Sequence, residues 1–113
     1  MDDSRFALLY VIYLAVVIVV IAAMWKVFVK AGQPGWAVLV PIYNAYILLV
    51  IAKRPAWWLI LLFIPIVNIV ISIIVNIDIA SRFGKSAAFG LGLALLGFIF
   101  YPILGFGDAK YQG

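Results

Sequence analysis

The stretch PGWAVLVPIYNAYILLVIAKRPAWWLILLFIPIVNIVISIIVN, which runs from Pro34 to Asn76, contains one pattern written twice. The first copy has PGW at 34–36 and PIYN at 41–44, and the second has PAWW at 55–58 and PIVN at 65–68. Each copy opens with proline and tryptophan and places a Pro-Ile-x-Asn break inside an apolar run. The repeat predicts two membrane-embedded segments with buried polar centres.

The composition indicates that hydrocarbon surrounds this chain. Of its 113 residues, 69% are apolar and 11% are charged, and the mean hydropathy is +1.28. A soluble domain is about half apolar and about a quarter charged. A chain of this length cannot bury so much apolar surface within itself. The sequence therefore predicts a single transmembrane domain over residues 1–113, in contact with a lipid bilayer.

The residue types exclude several classes of function. The chain has no Cys and no His, which removes thiolate chemistry and the commonest metal ligand. We therefore expect no metal site and no cofactor. The net charge of +4 lies in short loops between apolar runs, which is typical of Lys and Arg at a membrane surface. We expect no nucleic-acid partner.

Four apolar runs follow the polar lead, at 6–29, 36–52, 57–80 and 87–106. Continuous runs of this kind favour helices over the alternating strands of a barrel. The predicted fold is an all-α polytopic membrane bundle of four transmembrane helices, with proline breaks in the second and third. The first run is long and follows an acidic lead, which favours a retained helix over a cleaved signal peptide. Between the last two runs, Gly84 is predicted to cap one helix and Ser86 to begin the next.

The positive residues leave the membrane topology open. If all four runs span, Lys and Arg divide four against four, and the positive-inside rule gives no orientation. If both Pro-Ile-x-Asn runs are re-entrant, six positive residues share one side against two. A third layout makes only 36–52 re-entrant or interfacial, because 17 residues are at the lower limit for a span. Run length favours the first layout and charge favours the second.

Polar side chains inside the runs are the candidate functional residues. Asn44 and Asn68 each lie three residues beyond a proline near the middle of a run. If both runs span, the two amides lie at similar depth and could meet. Asn68, Ser72 and Asn76 recur at i, i+4 and i+8 and form a polar stripe on one helix. Such groups either join helices by hydrogen bonds or line a path for water, an ion or a small solute.

Three further patterns lie in the second half of the chain, from Asp78 to Gly97. Asp78 is followed at i+4 by Arg82, which predicts an ion pair or a cation site at the mouth of the stripe. Ser81 and Lys85 have the spacing of a nucleophile–base dyad, but a polar turn accounts for both, and we expect no enzyme. The small residues of the last run fall on one face and predict close helix packing, within the chain or between copies. They are Ala87, Gly90, Ala94 and Gly97.

The motifs resemble a family of small, uncharacterised bacterial inner-membrane proteins. The residues that carry the resemblance are Gly35-Trp36, Val40-Pro41-Ile42-Tyr43-Asn44, Pro55-Ala56-Trp57-Trp58, Ile64-Pro65-Ile66-Val67-Asn68, Phe83-Gly84-Lys85, Phe89-Gly90-Leu91-Gly92-Leu93 and Pro102-Ile103-Leu104-Gly105-Phe106-Gly107-Asp108. The resemblance implies a multi-pass protein of the bacterial inner membrane and implies no activity. Relatives are sometimes labelled signal peptidase, but the Ser-x-x-Met motif and downstream Lys of that enzyme family are missing here.

Two functions are consistent with these patterns. The first is a non-enzymatic interaction or stabilising subunit of a larger membrane assembly. The second is a homo-oligomeric channel or carrier lined by Asn44, Asn68, Ser72 and Asn76. Both predict partners that are met within the bilayer, because few residues lie outside the apolar runs.

Overall fold

The computed structural model describes residues 3–112, and within that range every regular element is a helix. The elements in chain order are α1 (Asp3–Lys30), a 3₁₀ helix (Gly35–Leu39), α2 (Pro41–Ala52), α3 (Trp58–Leu61), α4 (Val67–Arg82), α5 (Ala87–Leu95) and α6 (Gly97–Phe106). The all-α fold class is confirmed. The correspondence of one apolar run to one helix holds only for the first run.

The first run forms the long helix α1, whose 28 residues extend about 42 Å. Within the described range it is the one helix long and apolar enough to cross a membrane. Only three of its residues, Ala23, Val27 and Phe28, are buried, and all three lie near its C-terminal end. Residues 3–16, the first half of α1, are all exposed and have no packing partner among the described residues.

The second run is divided at Pro41. Residues Gly35–Leu39 form the 3₁₀ helix, Val40 is extended, and Pro41 occupies the first turn of α2. Proline is favoured there because the first amides of a helix have no intrahelical acceptor. The Trp36 and Tyr43 rings lie 5.5 Å apart, so the chain reverses direction between them.

The third run is divided around Pro65. Helix α3 ends at Leu61, whose carbonyl accepts a hydrogen bond from the amide of Ile64 at 3.2 Å, which satisfies the acceptor that proline leaves free. Ile66 then takes a positive φ of 70°, and the amide of Val67 donates to the Pro65 carbonyl at 2.8 Å. This is a γ-turn, and it reverses the chain into α4.

The fourth run contains two helices instead of one. Gly84 has a φ of +74°, and the Ser86 hydroxyl accepts a hydrogen bond from the amide of Phe89, so both predicted caps are confirmed. Helix α5 ends at Leu95, and Leu96 leaves the helical region with φ −131° and ψ 48°. Phe89 of α5 and Phe100 of α6 then pack edge to face at 5.2 Å, which shows that α6 folds back along α5.

The chain after α1 therefore consists of three hairpins, at residues 35–52, 58–82 and 87–106. Their open ends and the C-terminal end of α1 meet at one end of the molecule, which we call the loop end. The tail connects them: Tyr111 Oη donates to the Ile51 carbonyl, and the amide of Gln112 donates to the Arg82 carbonyl. Lys30 Nζ donates to the carbonyls of Leu104 and Gly107 at 2.8 and 2.9 Å.

The three chain reversals form the opposite ends of the hairpins, which we call the tips. Their side chains are apolar and exposed, including Ile66 at 77% and Leu95 at 71%. The buried core lies nearer the loop end, where α4 packs on α2 and α5 while α6 packs on α1. The molecule thus has a polar end with the loops and an apolar end with the tips.

Candidate functional site

The polar stripe of α4 is divided between two environments. Asn76 Nδ2 donates to the Ser72 carbonyl at 2.7 Å, and Asn76 Oδ1 accepts a hydrogen bond from the hydroxyl of Tyr101, a buried residue of α6. Asn76 therefore ties α4 to α6, in the manner of an interhelical hydrogen bond. The geometry at Asn76 therefore agrees with the first interpretation, in which a polar side chain joins two helices by hydrogen bonds.

Asn68 and Ser72 instead line an open groove of about 440 Å³ between α4 and α5. The rest of its wall is apolar apart from backbone and includes Leu62, Ala94 and Leu95. Within residues 3–112 the Asn68 side-chain amide has no hydrogen-bond partner. Ser72 also lines a smaller cavity of about 180 Å³ with Asn76, between α2 and α4.

The predicted meeting of Asn44 and Asn68 is wrong. Asn44 Nδ2 donates to the carbonyl of Val38 at 2.9 Å, which closes the turn between the 3₁₀ helix and α2. Asn44 does not line the groove that holds Asn68. The reason is that Pro41 begins a returning helix, so its asparagine bonds to its own hairpin.

The predicted pairing of Asp78 with Arg82 is also wrong. The Asp78 carboxylate accepts a hydrogen bond from Arg54 Nε in the loop before α3. This hydrogen bond to Asp78 raises the pKa of the Arg54 guanidinium. The same guanidinium lies over the Trp58 ring at 4.8 Å. The pair joins the ends of the first and second hairpins, a contact that i+4 spacing does not reveal.

The small-residue face of the last run is interrupted, because Leu96 ends the helix on which its spacing was counted. Gly90 packs within the chain: a Cβ there would lie 2.4 Å from the Cα of Ile77 in α4. Ala94 lines the groove with Asn68, Ala87 is exposed, and Gly97 begins α6 beside Tyr101. Gly90 is therefore already used inside the molecule and is not free to contact a second copy.

Cations concentrate at the loop end, around the C-terminal turn of α1. Lys26 Nζ lies 5.3 Å from the Phe106 ring centroid, and Lys85 Nζ lies 5.6 Å from that of Phe89. Lys26, Lys85 and Asp108 are close enough to Lys30 for their charges to act on it. An open groove of about 490 Å³ lies between α1 and α6 at this position.

Several important residues escaped the sequence analysis. Tyr101 and Arg54 are the partners of Asn76 and Asp78, and Gly105 lets α6 contact α1, since a Cβ there would lie 2.4 Å from the Ala23 carbonyl oxygen. The spacing of four residues between Tyr101 and Gly105, which puts both on one helix face, was the available signal.

The bond between Tyr101 and Asn76 has a measurable consequence. We expect Tyr101→Phe to lower the free energy of unfolding in detergent by about 1 kcal/mol, because the Asn76 oxygen loses its donor. Tyr43→Phe is the matched control, since the Tyr43 hydroxyl has no hydrogen-bond partner within the described range. Denaturant titration of both variants makes the comparison. Equal losses would show that the Tyr101 hydroxyl does not join the two helices.

Comparison with known proteins places most of this architecture in one family. The model of a family of unknown function, DUF5684, matches residues 36–113. The match covers the three hairpins and the tail and begins after α1. No curated protein and no solved structure matches the chain.

Proposed function

This chain belongs to the family DUF5684, of unknown function, and we propose that it is a non-enzymatic interaction or stabilising subunit of an assembly in the bacterial inner membrane. The observation that carries the proposal is the exposed apolar length of α1. Leu9 and Val11 are more than 60% exposed, and no buried residue occurs on α1 before Ala23. Water-soluble proteins rarely leave so large an apolar surface open.

A membrane placement follows from the two chemically different ends. Between Arg5 and Lys26, α1 has 20 uncharged residues, which extend about 30 Å and match the hydrocarbon core. The hairpins surround only the half of α1 nearest the loop end. Their tips are apolar, so we place them inside the bilayer and the loop end at its surface.

Helix lengths support re-entrant hairpins over four spans. Helices α2, α4, α5 and α6 have 12, 16, 9 and 10 residues. These lengths correspond to about 18, 24, 14 and 15 Å, all shorter than a core of about 30 Å. We therefore propose one spanning helix with three hairpins that enter and leave on the same side. The four-span bundle predicted from run lengths is the competing arrangement.

Charge supports the same placement and adds an orientation. Seven of the eight Lys and Arg residues lie at the loop end, and Arg5 alone lies at the other. Positive residues are retained on the cytoplasmic side. In the proposed placement the loop end is cytoplasmic and the N-terminal end of α1 faces outward.

The interaction surface is the half of α1 that the hairpins do not reach. Tyr10 and Tyr13 share one face there, and their hydroxyls have no hydrogen-bond partner within the described part of the chain. A partner's transmembrane helix would supply both apolar contact and acceptors for these hydroxyls, which lipid tails lack. We propose that such a helix packs on this face.

Photo-crosslinking tests this surface. A photoreactive residue at Tyr10 or Tyr13 is expected to give a discrete protein adduct in native membranes, several-fold more abundant than one at Leu8. Leu8 is the control because it lies on the opposite face of the same exposed helix. Equal labelling of lipid alone at all three positions would contradict the proposal.

One observation supports the alternative function as a channel: Asn68 and Ser72 both line an open groove. A path made by several copies would bring these grooves together, while Asn44 and Asn76 hold the hairpins. Homotypic crosslinks, together with liposome ion flux that disappears in Asn68→Leu, would favour the channel. Heterotypic crosslinks without flux favour the subunit.

A further inference from the structure

The surface of α1 facing α6 combines an apolar groove with lysines at one end. The groove beside Gly105 and Phe106 is lined by Trp25, Lys26 and Lys30. A second open groove of about 400 Å³, lined by α1 residues alone, continues along the helix past Ile18, Ile21 and Ala22 and shares Trp25 and Lys26 with the first. From Ile18 to Lys30 the distance along the helix is about 18 Å, close to one leaflet of about 15 Å plus a headgroup.

Lys26 and Lys30 line the loop end of this groove, and Lys85 is close enough to Lys30 for its charge to act on it. Lys30 uses two of its three N–H donors on the carbonyls of Leu104 and Gly107, which leaves one donor free. Lys26 and Lys85 contact aromatic rings and form no ion pair among residues 3–112. Asp108 is also near Lys30, so the cluster has three positive charges against one negative.

We propose that this surface binds one anionic phospholipid, with its phosphate at Lys26 and Lys30 and an acyl chain along Ile18, Ile21 and Ala22. The proposal rests on the membrane placement given above. A phosphate suits the cluster because lysine binds it as a point charge. The apolar groove suits a chain that continues from the same headgroup, and Trp25 lies at the boundary between the two parts, as tryptophan does at membrane interfaces. A free phosphate ion would use the lysines but not the groove.

Native mass spectrometry of the full-length protein in detergent tests the proposal. Wild type is titrated with phosphatidylglycerol and with phosphatidylcholine, and preferential retention of one phosphatidylglycerol is expected. Lys26→Gln should weaken retention about fivefold. Lys53→Gln is the matched control, because it removes the same charge from the loop end but outside the groove.

A second pair of variants tests the acyl chain. Ala22→Phe fills the apolar groove and should lower phosphatidylglycerol retention at least fivefold, while Ala15→Phe, on an exposed part of α1 outside the groove, should not. Millimolar inorganic phosphate should not displace the lipid. These variants do not touch the Lys30 contacts to α6.

Four outcomes would overturn the proposal. Equal retention of the two lipids would show no headgroup selection, and equal loss in Lys53→Gln would leave only a general effect of net charge. Displacement by inorganic phosphate would indicate an ion site. Unchanged lipid retention in the Ala22→Phe variant would contradict the acyl-chain part of the proposal.

Alkaline carbonate washing separates this inference from the proposed function. If the protein stays in membranes through the wash but fails the lipid tests, only the lipid site is contradicted. A protein released by the wash also loses the proposed membrane function.

Discussion

A single cysteine introduced at Lys53 will be labelled from the same side of the membrane as one introduced at Lys85, and from the side opposite to one introduced at Ser4. The reason is that the first and second hairpins return to the loop end, where Arg54 pairs with Asp78. Impermeant maleimide applied to right-side-out and inverted vesicles measures this. The chain has no native cysteine, so unmodified protein is the background control.

The position at Lys53 separates the competing layouts. Four spanning helices would put Lys53 on the side of Ser4, because two crossings separate those positions. Three re-entrant hairpins put it on the side of Lys85. The two layouts therefore differ in the side from which a cysteine at Lys53 is labelled, and not in how strongly it is labelled. Labelling of Lys53 together with Ser4 would refute the re-entrant arrangement.

Gly105→Val is expected to lower the free energy of unfolding by about 3 kcal/mol. A Cβ at this position would lie 2.4 Å from the Ala23 carbonyl oxygen and 2.9 Å from its carbon, both backbone atoms. Backbone cannot move aside as a flexible side chain can, so α6 must separate from α1. Denaturant titration in detergent measures the loss.

Gly97→Ala is the control for the same helix. Its Cβ would lie 3.3 Å from Tyr101 Cδ2, which is a side-chain contact that small adjustments relieve. We expect a change within about 0.5 kcal/mol. If Gly105→Val changed the unfolding free energy as little as Gly97→Ala, α1 and α6 would not be in close contact. The groove between these two helices would then not exist as described.

The local features of the chain were predictable because they depend on neighbouring residues. The turn after α1, the Gly84 cap and the Ser86 cap follow from backbone preferences that operate over three or four positions. The positions of the prolines likewise indicated where the second and third runs divide. The stripe of Asn68, Ser72 and Asn76 was evident from helical spacing alone.

The contacts between distant parts of the chain were not predictable in the same way. The sequence paired Asp78 with its neighbour Arg82, but the structure pairs it with Arg54. Two straight spans would put Asn44 and Asn68 at the same depth, where they could meet. Because the chain folds back at Pro41 and Pro65, the two residues do not share a depth in this way, and Asn44 bonds to Val38 instead. The reversal at Leu96 has no strong local signal, since apolar helix formers precede it.

The sequence by itself determined that the chain is helical and strongly apolar, and it located some of the helix ends, at the Gly84 and Ser86 caps and at the proline breaks. Only the tertiary structure decided whether the chain continues straight or folds back at Pro41, Pro65 and Leu96. The physical reason is that a break in helical hydrogen bonding permits many directions for the next segment. The direction taken depends on contacts with residues far away in the chain, such as Gly90 against Ile77 and Gly105 against Ala23.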